Sequence, residues 1–157
     1  MATRTTLPGT ADPGEVATSA FANSLPGGWL GWTTVTASQT GITTETALTG
    51  LTLTVTVQAN RVLKVTAHLN LVLSSGTGAN VVVAIKEGAT YLSAVQEVRD
   101  LNNGVFAVTI TAVVTPTAGA HTYYVSLSRT TASTTTVGTN AGATIPAVLV
   151  VEDIGST

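Results

Sequence analysis

The sequence predicts an all-β domain, specifically an antiparallel jelly-roll sandwich of about eight to ten strands. Two long segments, residues 51–57 and 63–73, alternate apolar and polar side chains with the period of two that is typical of strands. Further short runs of the same kind follow, separated by turns rich in Gly, Asn and Ser, and no long helical pattern interrupts them. Because the strands can be paired from both ends of the chain inward, the jelly roll is the favoured architecture.

The two long segments are the clearest elements of the pattern. In the first, Leu51, Leu53 and Val55 share a face and threonines occupy the other; in the second, the apolar face runs from Leu63 to Leu73. A short break at Gln58, Ala59 and Asn60 leads from the first run into the second. Two alternating runs joined by so short a break predict a β-hairpin, with both strands side by side in one sheet.

Shorter runs supply the remaining strands. They are predicted at residues 33–37, 41–46, 81–85, 91–98, 106–114, 121–129, 135–137 and 146–151. The last of them is apolar at every position from Ala147 to Val151, which indicates a strand buried on both faces. In a sandwich, the outward side chains of such a strand, Val148 and Val150, are expected to pack on another subunit.

The first 24 residues differ from the rest of the chain. They contain two Pro-Gly pairs and no sustained period, which predicts an extended arm (residues 1–24) ahead of the β domain (residues 25–157). Fully stretched, such an arm reaches at most about 80 Å. A disordered tail is the alternative, since terminal segments often lack order.

Three aromatic residues, Trp29, Trp32 and Tyr124, are candidate anchors. Trp29 and Trp32 follow a Pro-Gly-Gly turn, and we expect them to plug one end of the barrel or, alternatively, to anchor a partner. Tyr123 and Tyr124 are neighbours in one strand, so one faces the core and the other faces outward. We take Tyr124 as an interface candidate; a cross-strand pair on the sheet surface is the alternative.

Composition excludes several partners. Charged residues make up only 9% of the chain, against roughly 25% in typical soluble domains. The net charge of −2 and the scattered basic residues argue against nucleic acid, and no apolar run has the length of a membrane span. Cysteine is absent. A surface built from Thr and Ser suits a subunit covered by other subunits, although a Thr-rich secreted domain is an alternative.

No arrangement of residues in the sequence indicates catalysis. His68 and His121 stand in separate strands, neither with a second ligand at metal-binding spacing. Glu152 and Asp153 are adjacent in a strand and therefore point in opposite directions, as expected of a solvated rim and not of an acid–base pair. Lys86 and Glu87 suggest surface ion pairs. Neither a nucleophile elbow nor a phosphate-binding loop is found. We expect no enzyme activity, metal or cofactor.

Several phrases of the chain together resemble a known family, the small jelly-roll structural proteins of tailed bacteriophages, especially those of actinobacterial hosts. The phrases are LPGGWLGW (25–32), TGLTLTVTV (49–57), NRVLKVTAH (60–68), VTPTAGAHTYY (114–124) and the ending VLVVEDIG (148–155). The resemblance covers most of the chain from residue 25 onward, and its most specific part is the ending. The family is similar to the trimeric jelly rolls of tumour necrosis factor and of complement heads.

The resemblance implies a homotrimer whose apolar last strand lies near the threefold axis, with Tyr124, Val148 and Val150 as candidate interface residues. It implies a capsid decoration protein, made in the cytoplasm of the host bacterium, that binds the major capsid protein on the outer surface of the virion and stabilises the shell. The arm would staple neighbouring capsid subunits, through candidate contact residues Arg4, Leu7, Pro8, Val16 and Phe21. The alternative is a minor tail or tail-fibre domain that binds a receptor or carbohydrate.

Overall fold

A computed structural model describes residues 25–74, 81–93, 96–98, 105–129 and 136–157 of the chain. These residues form ten β-strands and contain no helix, so none that could span a membrane. The strands are β1 (Gly28–Val35), β2 (Thr46–Val57), β3 (Arg61–Ser74), β4 (Val81–Glu87), β5 (Thr90–Tyr91), β6 (Gln96–Val98), β7 (Val105–Val114), β8 (Gly119–Arg129), β9 (Thr136–Thr139) and β10 (Ala147–Ser156).

Two antiparallel sheets form the sandwich. Sheet A has the order β1-β10-β3-β7, with β9 also paired to β3; sheet B has the order β2-β8-β4-β5, with β6 also paired to β4. The pairs β1–β10, β2–β8, β3–β7 and β4–β5 are nested within one another along the chain. Nested antiparallel pairs that alternate between two sheets define a jelly roll, so the predicted fold class is confirmed.

The predicted hairpin between residues 51–57 and 63–73 is wrong. β2 pairs with β8 in sheet B, whereas β3 pairs with β10 and β7 in sheet A. The short connection, with Asn60 at a φ of 61°, carries the chain from one sheet to the other. Both strands still bury their apolar faces in the core between the two sheets. Alternation shows which side of a strand is buried and does not identify its neighbour.

Several predicted strands have different limits, and three of them show the range of the differences. The first begins five residues earlier than expected, at Gly28. The run at residues 41–46 reduces to one bridge, Ile42 with Val137, before β2 begins. The run at 91–98 gives only the two short strands β5 and β6 among the described residues. In each case turn residues and partner strands decided the limits, which propensity alone does not fix.

The core lies between the inner faces of the two sheets. Its largest fully buried side chains include Leu51, Leu63, Leu69, Leu127 and Tyr123. The last strand contributes Ala147, Leu149 and Val151, which are buried, while Val148 and Val150 are only partly buried. The apolar run is therefore covered on one face by its own domain. Coverage of the other face by a second subunit stays a prediction.

Candidate interface and binding surfaces

Both tryptophans lie on the outer face of sheet A. In the pairing of β1 with β10, Trp29 is opposite Glu152 and Trp32 is opposite Val150, and directly paired residues share a face. The side chains of Trp29 and Trp32 are 69% and 59% exposed. The two residues of β10 opposite the tryptophans, Glu152 and Val150, point away from the core. The expectation that the tryptophans plug the core is therefore wrong. The alternative role, an anchor for a partner, stays a prediction.

The tryptophans belong to a larger apolar surface, which we call the tryptophan face: Trp29, Trp32, Val148, Val150 and Ile154. Ile154 is exposed, and the two valines lie between β1 and β3 on the same outer surface. Exposed aromatic rings beside branched aliphatic side chains form a patch of the kind that mediates protein contacts.

The rest of the outer face of sheet A is weakly polar. Lys64 and Glu152 form a partly exposed ion pair at 3.0 Å. Beside it, the hydroxyls of Thr66 and Thr111 are 3.3 Å apart, and Nδ1 of His68 lies 2.8 Å from the hydroxyl of Thr109. These cross-strand contacts satisfy the polar groups within the sheet itself, so the face can be covered at a low desolvation cost.

β7 forms one border of sheet A. Among the described residues it pairs only with β3, and its ten residues include no charged side chain. Val113, at the end of this strand, is 62% exposed. An uncharged edge strand of this length is a known site of association, because its outer N–H and C=O groups can pair with another chain.

A buried ion pair holds the chain where the described residues begin. Arg61 Nε donates to Asp153 Oδ2 and Arg61 Nη2 donates to Asp153 Oδ1, both at 2.7 Å, and Arg61 Nη2 also donates to the carbonyl of Leu25. Burial acts to raise the pKa of Asp153, but the hydrogen bonds from Arg61 and from the Gly155 and Gly27 backbone outweigh it and lower that pKa. Asp153 is 7% exposed, so the expected solvated rim is wrong for this residue.

Tyr124 lies on the opposite side of the sandwich, on the outer face of sheet B. As predicted, Tyr123 points into the core and Tyr124 points outward. The Tyr124 hydroxyl donates to the carbonyl of Gly88 at 2.5 Å. The candidate interface residues therefore do not form one patch: Tyr124 is on one outer face, and Val148 and Val150 are on the other.

Next to Tyr124 is a pocket of about 360 Å³, which we call the polar pocket. It is open to solvent, and its lining residues are Glu45, Ala47, Thr52, Lys86, Tyr124 and Ser126. An irregularity in β2 creates the space: the pairing with β8 is broken between Ala47 and Thr52, where Gly50 has a φ of 84°. Leu48 and Leu51 turn into the core there, so nothing bulky from this bulge fills the outer side.

Glu45 connects the polar groups of the polar pocket. Its Oε1 accepts from Lys86 Nζ at 2.7 Å and from the Ser126 hydroxyl at 2.9 Å, and its Oε2 accepts from the Tyr91 hydroxyl at 2.8 Å. The hydrogen bonds from Lys86 and Tyr91 lower the pKa of Glu45, and the same contacts raise the pKa of Lys86 and of Tyr91. Lys86 Nζ also lies 4.2 Å from the centre of the Tyr91 ring. Lys86 is thus a buried residue and not the surface charge expected.

His121 has a carboxylate neighbour that the sequence pattern did not reveal. Its Nδ1 lies 2.6 Å from Glu87 Oε1, its Nε2 lies 2.9 Å from the carbonyl of Thr117, and its ring stacks on Tyr123. These contacts tie β8 to β4 at the end of the sandwich. No group of three metal-ligating side chains occurs among the residues that the structure describes.

Sequence reasoning did not find Glu45 or Ser126 as site residues. Glu45 lies in a segment predicted as a strand, Ser126 is one of many serines, and 41 residues separate Glu45 from Lys86. No local signal could have joined them, because β-sheet pairing sets their proximity. The candidate arm residues Arg4, Leu7, Pro8, Val16 and Phe21 lie outside the described residues, so the arm stays a prediction.

Comparison with known proteins adds little beyond the general architecture. No protein-family model matches the chain, and no curated protein matches it in sequence. Among solved structures, the chain is similar to the tripod from the baseplate of bacteriophage Tuc2009, with 15% identity, a TM-score of 0.45 and coverage of 99% of this chain and 79% of that one.

It is also similar to structures of infectious bursal disease virus. The Gx strain gives 15% identity and a TM-score of 0.35, over 80% of this chain and 36% of that one. The Gt strain gives 16% identity and a TM-score of 0.37, over 94% of this chain and 42% of that one. The chain thus spans well under half of these viral chains. At such identities and TM-scores, the likenesses say nothing about partners or activity.

Proposed function

We propose that this chain is a structural protein of a bacteriophage virion, a decoration protein that binds the outer capsid surface as a homotrimer. The observation that carries the proposal is the tryptophan face, a solvent-exposed apolar patch on an otherwise weakly charged sheet. The sequence resemblance to phage jelly-roll proteins is the reason for proposing a phage capsid as the partner assembly. Binding is the whole of the proposed mechanism, and no catalytic step is part of it.

The tryptophan face has the composition of a protein interface. Interface centres are enriched in aromatic residues and poor in charge, and Trp is among the residues that contribute most to binding. Trp29 and Trp32 are near neighbours on the exposed side of β1, with Val148 and Val150 beside them. Leaving two such rings in water costs solvation free energy that a second protein surface would recover.

A trimer needs two different patches on each subunit. In a ring with a threefold axis, one surface of a subunit contacts a different surface of the next. In the proposed trimer the tryptophan face is one of these two surfaces. The outer face of sheet B, with Tyr124, lies on the opposite side of the sandwich and stays outside the contact.

The proposed arm would leave the domain close to the tryptophan face. Arg61 holds the carbonyl of Leu25, and β1 with Trp29 begins three residues later, at Gly28. An arm from this point can bind a neighbouring subunit of the shell. With three arms per trimer, weak individual contacts would combine into strong attachment to the major capsid protein.

The test begins with the molar mass of the protein in solution, measured by light scattering. We expect a trimer that sediments with shells assembled from the major capsid protein of the encoding phage. Val150→Glu, in the tryptophan face, should reduce or abolish trimer formation. Thr54→Glu, at an exposed position on sheet B where the hydroxyl contacts that of Thr122, should not. A stable monomer, or a trimer that leaves the shells bare, would contradict the proposal.

Removal of residues 1–24 separates the roles of arm and domain. We expect the truncated chain to fold and to form trimers, because the described core involves none of those residues. It should not sediment with shells. Normal decoration by the truncated protein would show that the arm is not the staple.

A further inference from the structure

We propose that the polar pocket on sheet B binds a neutral, hydroxyl-rich ligand, a saccharide unit. This inference goes beyond a role in the virion shell and does not depend on it. It rests on three properties of the pocket: an open space formed by a bulge, a mixed set of donors and acceptors, and an exposed aromatic ring beside them.

The pocket is built into the sheet. Its volume of about 360 Å³ is at the small end of the range for ligand sites, which is enough for one sugar ring. The β2 bulge opens it by directing Leu48 and Leu51 inward. Bulges often lie beside functional sites, where they redirect side chains. Lys86, which is 7% exposed, and Ser126, which is more deeply buried, form its floor.

Both donors and acceptors remain available toward the pocket. Lys86 Nζ has three hydrogens, and the hydrogen bond to Glu45 uses one of them. The Ser126 and Tyr91 hydroxyls use their hydrogens on Glu45 and keep their oxygen lone pairs. A sugar hydroxyl both donates and accepts, so it fits such a mixed set.

The two charged side chains that line the pocket, Lys86 and Glu45, favour a neutral ligand. The ammonium of Lys86 and the carboxylate of Glu45 are 2.7 Å apart and compensate each other within the pocket. An anion would be repelled by Glu45 and a cation by Lys86, since either would meet a like charge in a partly desolvated site. A polyol meets neither penalty.

Tyr91 does not line the pocket but contacts two residues that do, Glu45 and Lys86, and from this position it would supply the apolar contact that a sugar ring also needs. Its ring is 50% exposed, and its orientation is fixed by the hydrogen bond to Glu45 and by the Lys86 ammonium. A ring held in this way loses little conformational entropy when a ligand packs on it. An exposed tyrosine next to buried polar groups therefore combines the two recognition elements.

The experiment is a titration of the full chain, labelled with ¹⁵N, with glucose, galactose, rhamnose and N-acetylglucosamine separately, each to about 20 mM, above the millimolar constants that a few contacts give. We expect at least one sugar to shift the amide resonances of residues 45–52, 86 and 124–126 saturably. Saturable shifts elsewhere, or none with any of the four sugars, would overturn the proposal.

Two variants decide whether the named side chains are responsible. Tyr91→Ala and Ser126→Ala should each weaken binding of the active sugar at least about fivefold, because each removes one of the proposed contacts. Thr54→Ala, on the same outer face but outside the pocket, should leave binding unchanged. Amide spectra confirm folding of every variant. Unchanged affinity in folded Tyr91→Ala protein would contradict the pocket assignment.

Discussion

Arg61 and Asp153 form a two-pronged ion pair inside the sandwich, with both nitrogen–oxygen distances at 2.7 Å, although 92 residues separate them in the chain. The pair joins the first residue of β3 to the end of β10, and its third contact holds the carbonyl of Leu25. It therefore holds Leu25, the first residue that the structure describes, four residues ahead of Trp29.

Removal of one partner of this pair should be costly. Asp153→Ala leaves the Arg61 guanidinium buried without its countercharge, which typically costs about 3–5 kcal/mol of unfolding free energy. Urea denaturation measures the change. The matched control is the neighbouring Glu152→Ala, which removes only a partly exposed pair with Lys64 and should cost less than about 1 kcal/mol. Equal effects of the two variants would show that Asp153 is not buried as described.

The same pair predicts a dependence of stability on acid. Because Arg61 and the backbone N–H groups lower the pKa of folded Asp153 below its ordinary 3.8, the carboxylate stabilises the fold above about pH 4. That contribution should disappear as the pH falls through the lowered pKa. We expect the double variant Arg61→Met with Asp153→Leu to lose less stability than the wild type between pH 5 and pH 2, as measured by urea denaturation.

The buried hydroxyl of Tyr123 predicts a loss of stability at alkaline pH. Its hydroxyl is buried and has no hydrogen-bond partner among the described residues, and burial, with a smaller effect of Glu87, raises its pKa to about 12. The unfolded chain releases this proton near pH 10, so the stability should fall as the pH rises from about 10 to 12.

Tyr123→Phe tests this account. It should remove part of the alkaline loss and raise the unfolding free energy at neutral pH by about 1 kcal/mol, since an unpaired buried hydroxyl is removed. The control is Tyr124→Phe, which deletes the hydrogen bond to Gly88 and should be neutral or slightly destabilising. A Tyr123→Phe protein less stable than the wild type would indicate a partner for the hydroxyl.

Gly138 in β9 is predicted to tolerate no side chain. An added Cβ would lie 2.3 Å from the carbonyl oxygen of Gln39 and 2.8 Å from Thr40 Cα, both backbone atoms. Gly138→Ala should therefore cost about 1–3 kcal/mol of unfolding free energy in urea. Gly142→Ala meets only Ile145, at an ordinary 3.6 Å, and should change it by less than about 0.5 kcal/mol, as typical surface substitutions do.

The tryptophan face should contribute little to the stability of the folded subunit. Trp29→Ala with Trp32→Ala removes rings that lie mostly in solvent, so the unfolding free energy of the monomeric unit should change by less than about 1 kcal/mol. Light scattering should show loss of the trimer. A large loss of stability without any change in molar mass would place these rings in the core.

The sequence by itself determined the fold class and the inward or outward direction of most strand residues. Alternation identified the buried faces of β2 and β3 and placed Tyr123 inside and Tyr124 outside, because a strand reverses its side chains at each residue. The nesting of strands from both ends, with turns marked by Gly and Asn, was enough to predict a jelly roll.

The tertiary structure decided which strands are neighbours and which charges meet. The break at residues 58–60 links two sheets and not two adjacent strands, and alternation is the same in both cases. The ion pairs Arg61–Asp153 and Lys86–Glu45 join residues 92 and 41 positions apart. Such contacts depend on the order of strands within each sheet, which is set by packing of the whole core and leaves no local pattern in the chain.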